Sequence, residues 1–364
     1  MKGLPMRKNY VTIILSFLIL VLLLSACGKQ PGGTAGDKQP EGPTAEPTMV
    51  PELGWIEKLG LQNVGREVTD AAAENMQKDD DMTTLYVKDY GAVGDGVTDD
   101  RKAITQVVNA LRRAPAGSTL QFEANATYYC GKTATAAFSL TGISDKIIQG
   151  ENTTILIDAP AKYLELQGST NVVISGFNFN YNTKPYAFSV SVDEIDSKKL
   201  TATITFDRSL GITRTYNAPN SEFFGVLDRD DGRYHMGISK IEIVDAEAFR
   251  YKLTFTNTFA APKERVEMLT EYGFIVPMPS VGHSVEQAFT VTNNTNVTMK
   301  DCNVWSACKF MFFVRGNEGT VLFENFNVTP DPAENGGNIR IVGWRDGFHC
   351  KENRAQLIWK DCTL

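Results

Sequence analysis

Five eight-residue stretches of this chain align without a gap: Asp145–Asn152 (DKIIQGEN), Asn171–Asn178 (NVVISGFN), Asn296–Asn303 (NVTMKDCN), Thr320–Asn327 (TVLFENFN) and Gln356–Thr363 (QLIWKDCT). The fourth residue is always large and apolar: Ile148, Ile174, Met299, Phe323 and Trp359. The seventh is Phe177, Cys302, Phe326 or Cys362, with Glu151 as the exception in the first stretch. Each stretch follows a second strand-like segment that contributes Leu140, Leu166, Val291, Val314 or Cys350. Repeated short strands of this kind stack as coils about 4.8 Å apart, so that like residues lie on like inside one column. The aromatic, Cys and Trp359 positions are therefore expected to be core.

Two spacings depart from the repeat. The first two stretches start 26 residues apart and the third and fourth 24 apart, but the second and third start 125 apart. The surplus lies between Thr183 and Gly282. There, Ala187–Asp193 with Leu200–Asp207, and Ile238–Val244 with Tyr251–Asn257, alternate as antiparallel hairpins do. A small inserted barrel or sandwich is expected. The fourth and fifth stretches start 36 residues apart, which predicts a longer excursion from Pro330 to Trp344. Solenoids tend to place insertions on one face, which is often the binding face.

Upstream, DYGAVGDGVTDD (Asp89–Asp100) leads into RKAITQVVNALRR (Arg101–Arg113). Ala103, Ile104, Val107, Val108 and Leu111 form one apolar helical face. Thr98 or Asp99 is expected to cap the helix, and the helix dipole accounts for Asp95, Asp99 and Asp100 better than a bound cation does. This stretch resembles the entry segment of the pectate-lyase superfamily, in which a strand, a Gly-Asp-Gly turn and a helix plug a right-handed parallel β-helix. The resemblance implies an all-β fold: a right-handed parallel β-helix with an N-terminal capping helix and an inserted small antiparallel β domain.

The N-terminus carries Lys2, Arg7 and Lys8, then an apolar run from Val11 to Leu24, then Leu24-Ser25-Ala26-Cys27. Such a run is an export signal too short for a comfortable membrane span. It resembles a bacterial lipoprotein signal, which implies diacylglycerol on Cys27 and an extracytoplasmic protein anchored to the membrane by lipid. Residues 28–51 are rich in Gly, Pro and Thr and read as a tether. The organisation is then signal 1–27, tether 28–51, an unassigned lead 52–82 with a short helix near Thr69–Gln77, cap and first coils 83–182, inserted domain 183–282 and further coils 283–364. Leu364 falls inside a repeat segment, at the position matched by Phe179, Val304 and Val328, so more coils are expected downstream.

A net charge of −7, with no basic cluster outside the signal, argues against a nucleic-acid partner. Besides Cys27, the five remaining cysteines (Cys130, Cys302, Cys308, Cys350, Cys362) are irregularly spaced and form no Cys-x-x-Cys pair. Buried, reduced thiols and no structural zinc are expected. Oligomeric state is left open.

The densest polar-aromatic cluster is Gly343-Trp344-Arg345-Asp346-Gly347-Phe348-His349. By period two Phe348 and Cys350 point inward, and His349 points outward beside Lys351. A β-helix with an early insertion and an Asp-Gly-x-His segment resembles the bacterial α-1,3-galactosidase family of glycoside hydrolases. The resemblance implies catalytic roles for Asp346 and His349, an inverting hydrolysis of galactose- or uronate-containing glycans, and a further Asp pair on the next coil. Trp344, Arg345 and Lys351 are the candidate glycan-binding residues. Glu318, Glu324 and Asp331 are nearby acids, but none stands out as the second carboxylate that inversion requires. Two other readings compete. A polysaccharide lyase would use a base such as Arg345, Lys351 or Arg340 and commonly Ca²⁺, but no carboxylate cluster for the ion is evident, so no metal or cofactor is assigned. A glycan-binding β-helix without turnover would need neither.

Overall fold

The chain divides into two units, Met1–Val64 and Gly65–Leu364. A computed structural model describes residues 68–131, 136–158, 161–184, 186–217, 225–228, 234–255, 274–277, 287–307, 310–333 and 347–363, all in the second unit. The signal, the tether, Cys27, Cys308, Trp344, Arg345 and Asp346 lie outside the described residues.

Helix α1 (Ala71–Glu74) precedes strand β1 (Thr84–Tyr86), β2 (Asp95–Asp99) and helix α2 (Arg101–Arg113). The column begins with β3 (Thr119–Gln121), β4 (Thr127–Tyr129), β5 (Ala136–Thr141), β6 (Ser144–Ile157), β7 (Lys162–Gln167) and β8 (Thr170–Tyr181). An excursion follows, with β9 (Tyr186–Asp196), β10 (Thr201–Phe206), β11 (Tyr216–Asn217), β12 (Gly225–Asp228), β13 (Tyr234–Asp245), β14 (Arg250–Phe255) and β15 (Phe274–Pro277). The column resumes with β16 (Gln287–Thr292), β17 (Thr295–Val304), β18 (Phe310–Arg315), β19 (Glu318–Val328), β20 (Phe348–Lys351) and β21 (Gln356–Lys360).

Two parallel sheets build the column. One runs β1-β3-β6-β8-β17-β19-β21, and the other runs β5-β7-β16-β18-β20. Chain order and sheet order agree, which makes a parallel β-helix. The register places the repeat residues on one another. Leu85, Leu120, Ile148, Ile174, Met299, Phe323 and Trp359 follow in one interior row. Leu140, Leu166, Val291, Val314 and Cys350 form another. Between the rows, Phe289, Phe312 and Phe348 stack face to face with centroids 4.6 Å apart. That spacing is the rung repeat itself, so ring stacking and backbone pairing reinforce each other.

The long strands of the first sheet each bend partway along at a left-handed residue, Asn152, Gly176, Asp301 or Asn325, in addition to one near the strand start, Asp145, Asn171, Asn296 or Gly319. Asn and Gly tolerate that conformation best. At Gly176, where φ is +80°, a side chain would also meet the Gly150 carbonyl at 2.1 Å. The Gly150–Asn152 bend carries two extra residues: Gln149 pairs with Ser175, but Thr153 pairs with Phe177. Thr153, not Glu151, therefore sits opposite Phe177. This explains the odd seventh residue of the first stretch.

Asparagine ladders run up the bends. Asn125, Asn152, Asn178, Asn303 and Asn327 are linked amide to amide, mostly at 2.8 Å. At the tight edge from the second sheet to the first, Ser169 N donates to Asn294, Asn294 to Asn317, and Asn317 to Asn353, at 2.9–3.0 Å. Asn317 also donates to the Val291 carbonyl at 2.9 Å and is fully buried. Each amide bonds the coil below and the coil above, so buried backbone groups at the turn are satisfied without water.

Helix α2 buries Ala103, Ile104, Val107, Val108 and Leu111. Its start differs from the expected cap. Asp100 precedes the helix, and its carboxylate turns back to accept Val93 N at 2.6 Å and Gly94 N at 3.1 Å. Asp99 accepts Arg101 N at 3.0 Å. Thr98 donates its hydroxyl to Asp95 and caps nothing, while Asp95 closes its own turn by accepting Val97 N and Thr98 N. Turn chemistry, not the helix dipole, thus explains Asp95, and those amides hold its carboxyl below the usual range.

Core assignments at the end of the column are corrected: Trp359 stacks on Phe323 but is 39% exposed, Cys350 is exposed, and Cys362 is only partly buried. Trp359 and Cys350 occupy interior rows on β21 and β20, the last strands of their sheets, where no described strand covers the far side. Cys130 and Cys302 are buried free thiols, pushed up to about 12 by burial.

Replacing Asn317 with Ala strands several buried partners and is expected to cost about 2–4 kcal/mol in urea unfolding. A loss below about 0.5 kcal/mol would show that the ladder contributes little. In native-state alkylation read by mass spectrometry, Cys350 is expected to react well before Cys130 and Cys302.

Candidate functional site

Each coil has two unequal edges. The edge from the second sheet to the first is short, for example Gly168–Ser169 and Gly316–Asn317 between strands. The edge from the first sheet to the second carries every excursion. The antiparallel strands β9–β15 leave after β8, and the Pro330–Gly347 excursion leaves after β19. One flank of the column therefore bears both insertions, and the segment ending at His349 re-enters there.

Within the insertion, β9 pairs with β10 and β13 with β14, as the alternation predicted. The sheet order is β11-β13-β12-β15-β9-β10-β14, with β13 also bonded to β14. The first residues of β9 pair with β15 and the remainder with β10. Likewise β13 passes from β12 to β14.

A buried polar knot sits where the chain departs. Lys184, just before β9, donates to Asp331, just after β19, at 2.7 Å. Asn180 donates to the same Asp331 oxygen at 2.7 Å and accepts from Lys184 and from the Ser306 hydroxyl. Lys184 and Asp331 are only 5% and 4% exposed. Burial pushes the Asp331 carboxyl up, but the Lys184 ammonium, Ala333 N–H and Asn180 amide outweigh it and hold the group below the usual carboxylate range. Asp331 is thus a sealed, ionised anchor. Further along the same flank, Asp158 accepts the Tyr129 hydroxyl at 2.6 Å and the Asn182 amide at 3.1 Å. That bond and burial push Tyr129 up to about 12.

Of the residues singled out from the sequence, His349 and Lys351 are described. Phe348 stacks inward on Phe312, and His349 occupies the outward row Ser139, Glu165, Thr290, Phe313, His349. Its ring lies 5.9 Å from that of Phe313, nearly parallel at 23°. Lys351 is exposed on the neighbouring row Thr141, Gln167, Thr292, Arg315, Lys351. The acids on this face each meet a cation: Glu165 meets Lys162 at 3.7 Å, and Glu352 meets Arg315 at 2.7 Å. Glu324 pairs with Lys360, and Glu318 with Arg354, on the first sheet. Among the described residues no group of three or more His, Cys, Asp or Glu stands together to hold a metal ion.

Sequence reading missed Phe313 and Lys184. The signal for Phe313 was present: it immediately precedes the inward Val314, at the outward position His349 holds on the next coil. No local pattern marks Lys184, because its partner is 147 residues away.

No protein-family model matches the chain. Plasmin and fibronectin-binding protein A of Streptococcus pneumoniae is 45% identical over 47 residues, which cover 13% of this chain and 6% of that protein. The crystal structure of PfbA, a surface adhesin of Streptococcus pneumoniae, is similar at TM-score 0.34 and 16% identity, over 70% of this chain and 41% of that one. A candidate glycosyl hydrolase from Parabacteroides merdae is similar at TM-score 0.34 and 11% identity, over 77% and 97%. An iota-carrageenase of family GH82 from A. fortis is similar at TM-score 0.23 and 13% identity, over 72% and 54%. The chain thus spans about two fifths of the adhesin's length and a small part of the curated relative's. Likeness at this level assigns no function.

Asp331 is expected to contribute stability above its unfolded pKa of about 3.9, a contribution lost as pH falls through the lower folded value. Asp331→Asn should cost about 3 kcal/mol at pH 7. The gap to the parent should narrow below about pH 4 in urea titrations run across pH.

Proposed function

We propose that the chain is an extracytoplasmic, lipid-anchored protein that acts on glycans at the flank bearing both insertions. The observation that carries this reading is the outward aromatic pair Phe313–His349, beside the exposed Lys351; Asp346 precedes His349 by three residues in the chain. Sugar rings present an apolar C–H face that packs on such rings, while cations and amides around them fix the hydroxyl or carboxylate groups. Trp344, Arg345 and Lys351 are the glycan-binding residues of this proposal, and Cys27 carries the lipid.

The proposed reaction is inverting hydrolysis of a galactose- or uronate-containing glycan. One carboxyl protonates the leaving oxygen while another activates water on the opposite face, about 6.5–9.5 Å away. Asp346 is assigned one of these roles, with His349, three residues further along the chain, as a hydrogen-bonding or proton-handling group. Asp331 is not the second acid, because it is sealed and held ionised by Lys184. A second reading, glycan binding without turnover, is favoured by the ion pairing of Glu165 and Glu352.

The test is full-length protein assayed on galactan and polygalacturonate oligosaccharides for reducing ends and for unsaturated-uronide absorbance. Asp346→Asn should reduce hydrolysis by roughly 10²–10⁴-fold with binding retained. Phe313→Ala should weaken binding about ten-fold, equivalent to about 1.4 kcal/mol. New ultraviolet absorbance would replace hydrolysis with β-elimination, and binding with no product in any assay would favour the second reading.

A further inference from the structure

Residues 70–79 of the lead, to which the sequence assigns no function, lie across the outer face of the first sheet. Asp70 caps α1 by accepting Ala73 N at 3.0 Å, and also accepts the Thr298 hydroxyl of β17 at 2.5 Å. Its other oxygen lies 3.4 Å from Lys300 Nζ, also on β17. Five residues on, the Asn75 carbonyl accepts the Asn171 amide of β8 at 3.0 Å. Gln77 N then donates to Asp145 of β6 at 2.9 Å, and Asp79 exchanges hydrogen bonds with Ala116 below β3. Ala72 and Met76 are buried on Val173 of β8, with Ile147 of β6 packed alongside.

These contacts straddle one seam. β8 is the last first-sheet strand before the insertion, and β17 is the first after it. Closing that seam requires the chain to leave at Asn182 and return at Gln287, which carries the largest loop-closure cost in the column. The coils before the seam have α2 packed on them, and the described coils beyond it have no such helix.

We infer that Asp70–Gln77 is a clasp that holds the coils beyond the insertion onto those before it. The stability of β17 and β19 then depends on a segment more than 200 residues upstream, while α2 and β4 do not. The clasp acts independently of any glycan, so it stands or falls apart from the functional proposal.

The experiment is hydrogen exchange, read by mass spectrometry, on the full chain with Ala72→Lys and Thr298→Val. Lysine cannot be seated where Ala72 is buried, and valine keeps the shape of Thr298 while deleting its bond to Asp70. Peptides from β17 and β19 should exchange roughly ten-fold faster in A72K and several-fold faster in T298V, with α2 and β4 within about two-fold of the parent. Acceleration confined to residues 68–79, or equal in every strand, would overturn the inference. Should A72K fail to fold, T298V decides between the same outcomes.

Discussion

Everything in this molecule rests on vertical registry. A parallel coil has no local partner for its backbone amides, so each rung is satisfied only by the rungs above and below. Registry must therefore be specified at every level. Interior rows do it by shape, with Phe289, Phe312 and Phe348 face to face. Bends do it by polarity, with asparagine amides that bond amides and carbonyls one rung away. A slip of one residue would break both together, because it would turn the aromatic row outward and leave the buried Asn317 without partners.

Registry also explains what the sequence discloses and what it hides. The interior rows were legible because stacking demands like residues at like positions, and five aligned segments reveal that directly. The two-residue bulge at Gly150–Asn152 was not legible, since a gapless alignment forces Glu151 into a slot that Thr153 fills. Trp359 and Cys350 carry the core pattern, yet burial depends on the neighbouring rung as well as on the residue. The helix start was half legible: Asp99 accepts the first helical amide, but Asp100 holds the position before the helix and spends its carboxylate on the Gly-Asp-Gly turn. Thr98 and Asp95 are occupied with each other.

The candidate site was legible to a lesser degree. Period two placed His349 outward, and the excess spacings located both insertions. Both leave from one edge, while the other edge is a turn only a few residues long, closed by Ser169, Asn294, Asn317 and Asn353. The Lys184–Asp331 knot could not be read from sequence. It is a contact between two departure points that meet only after the column is built.

The clasp has a mechanical side. Asp70 is held against β17, well along the column and away from the end closed by α2. Tension arriving from the N-terminal direction is thus delivered to mid-column. A pull along the axis loads the Asp70, Asn75 and Gln77 bonds together, in shear. A pull away from the sheet peels them singly, starting with Asp70 at Thr298. The direction of an applied force would then decide how firmly the later coils are held.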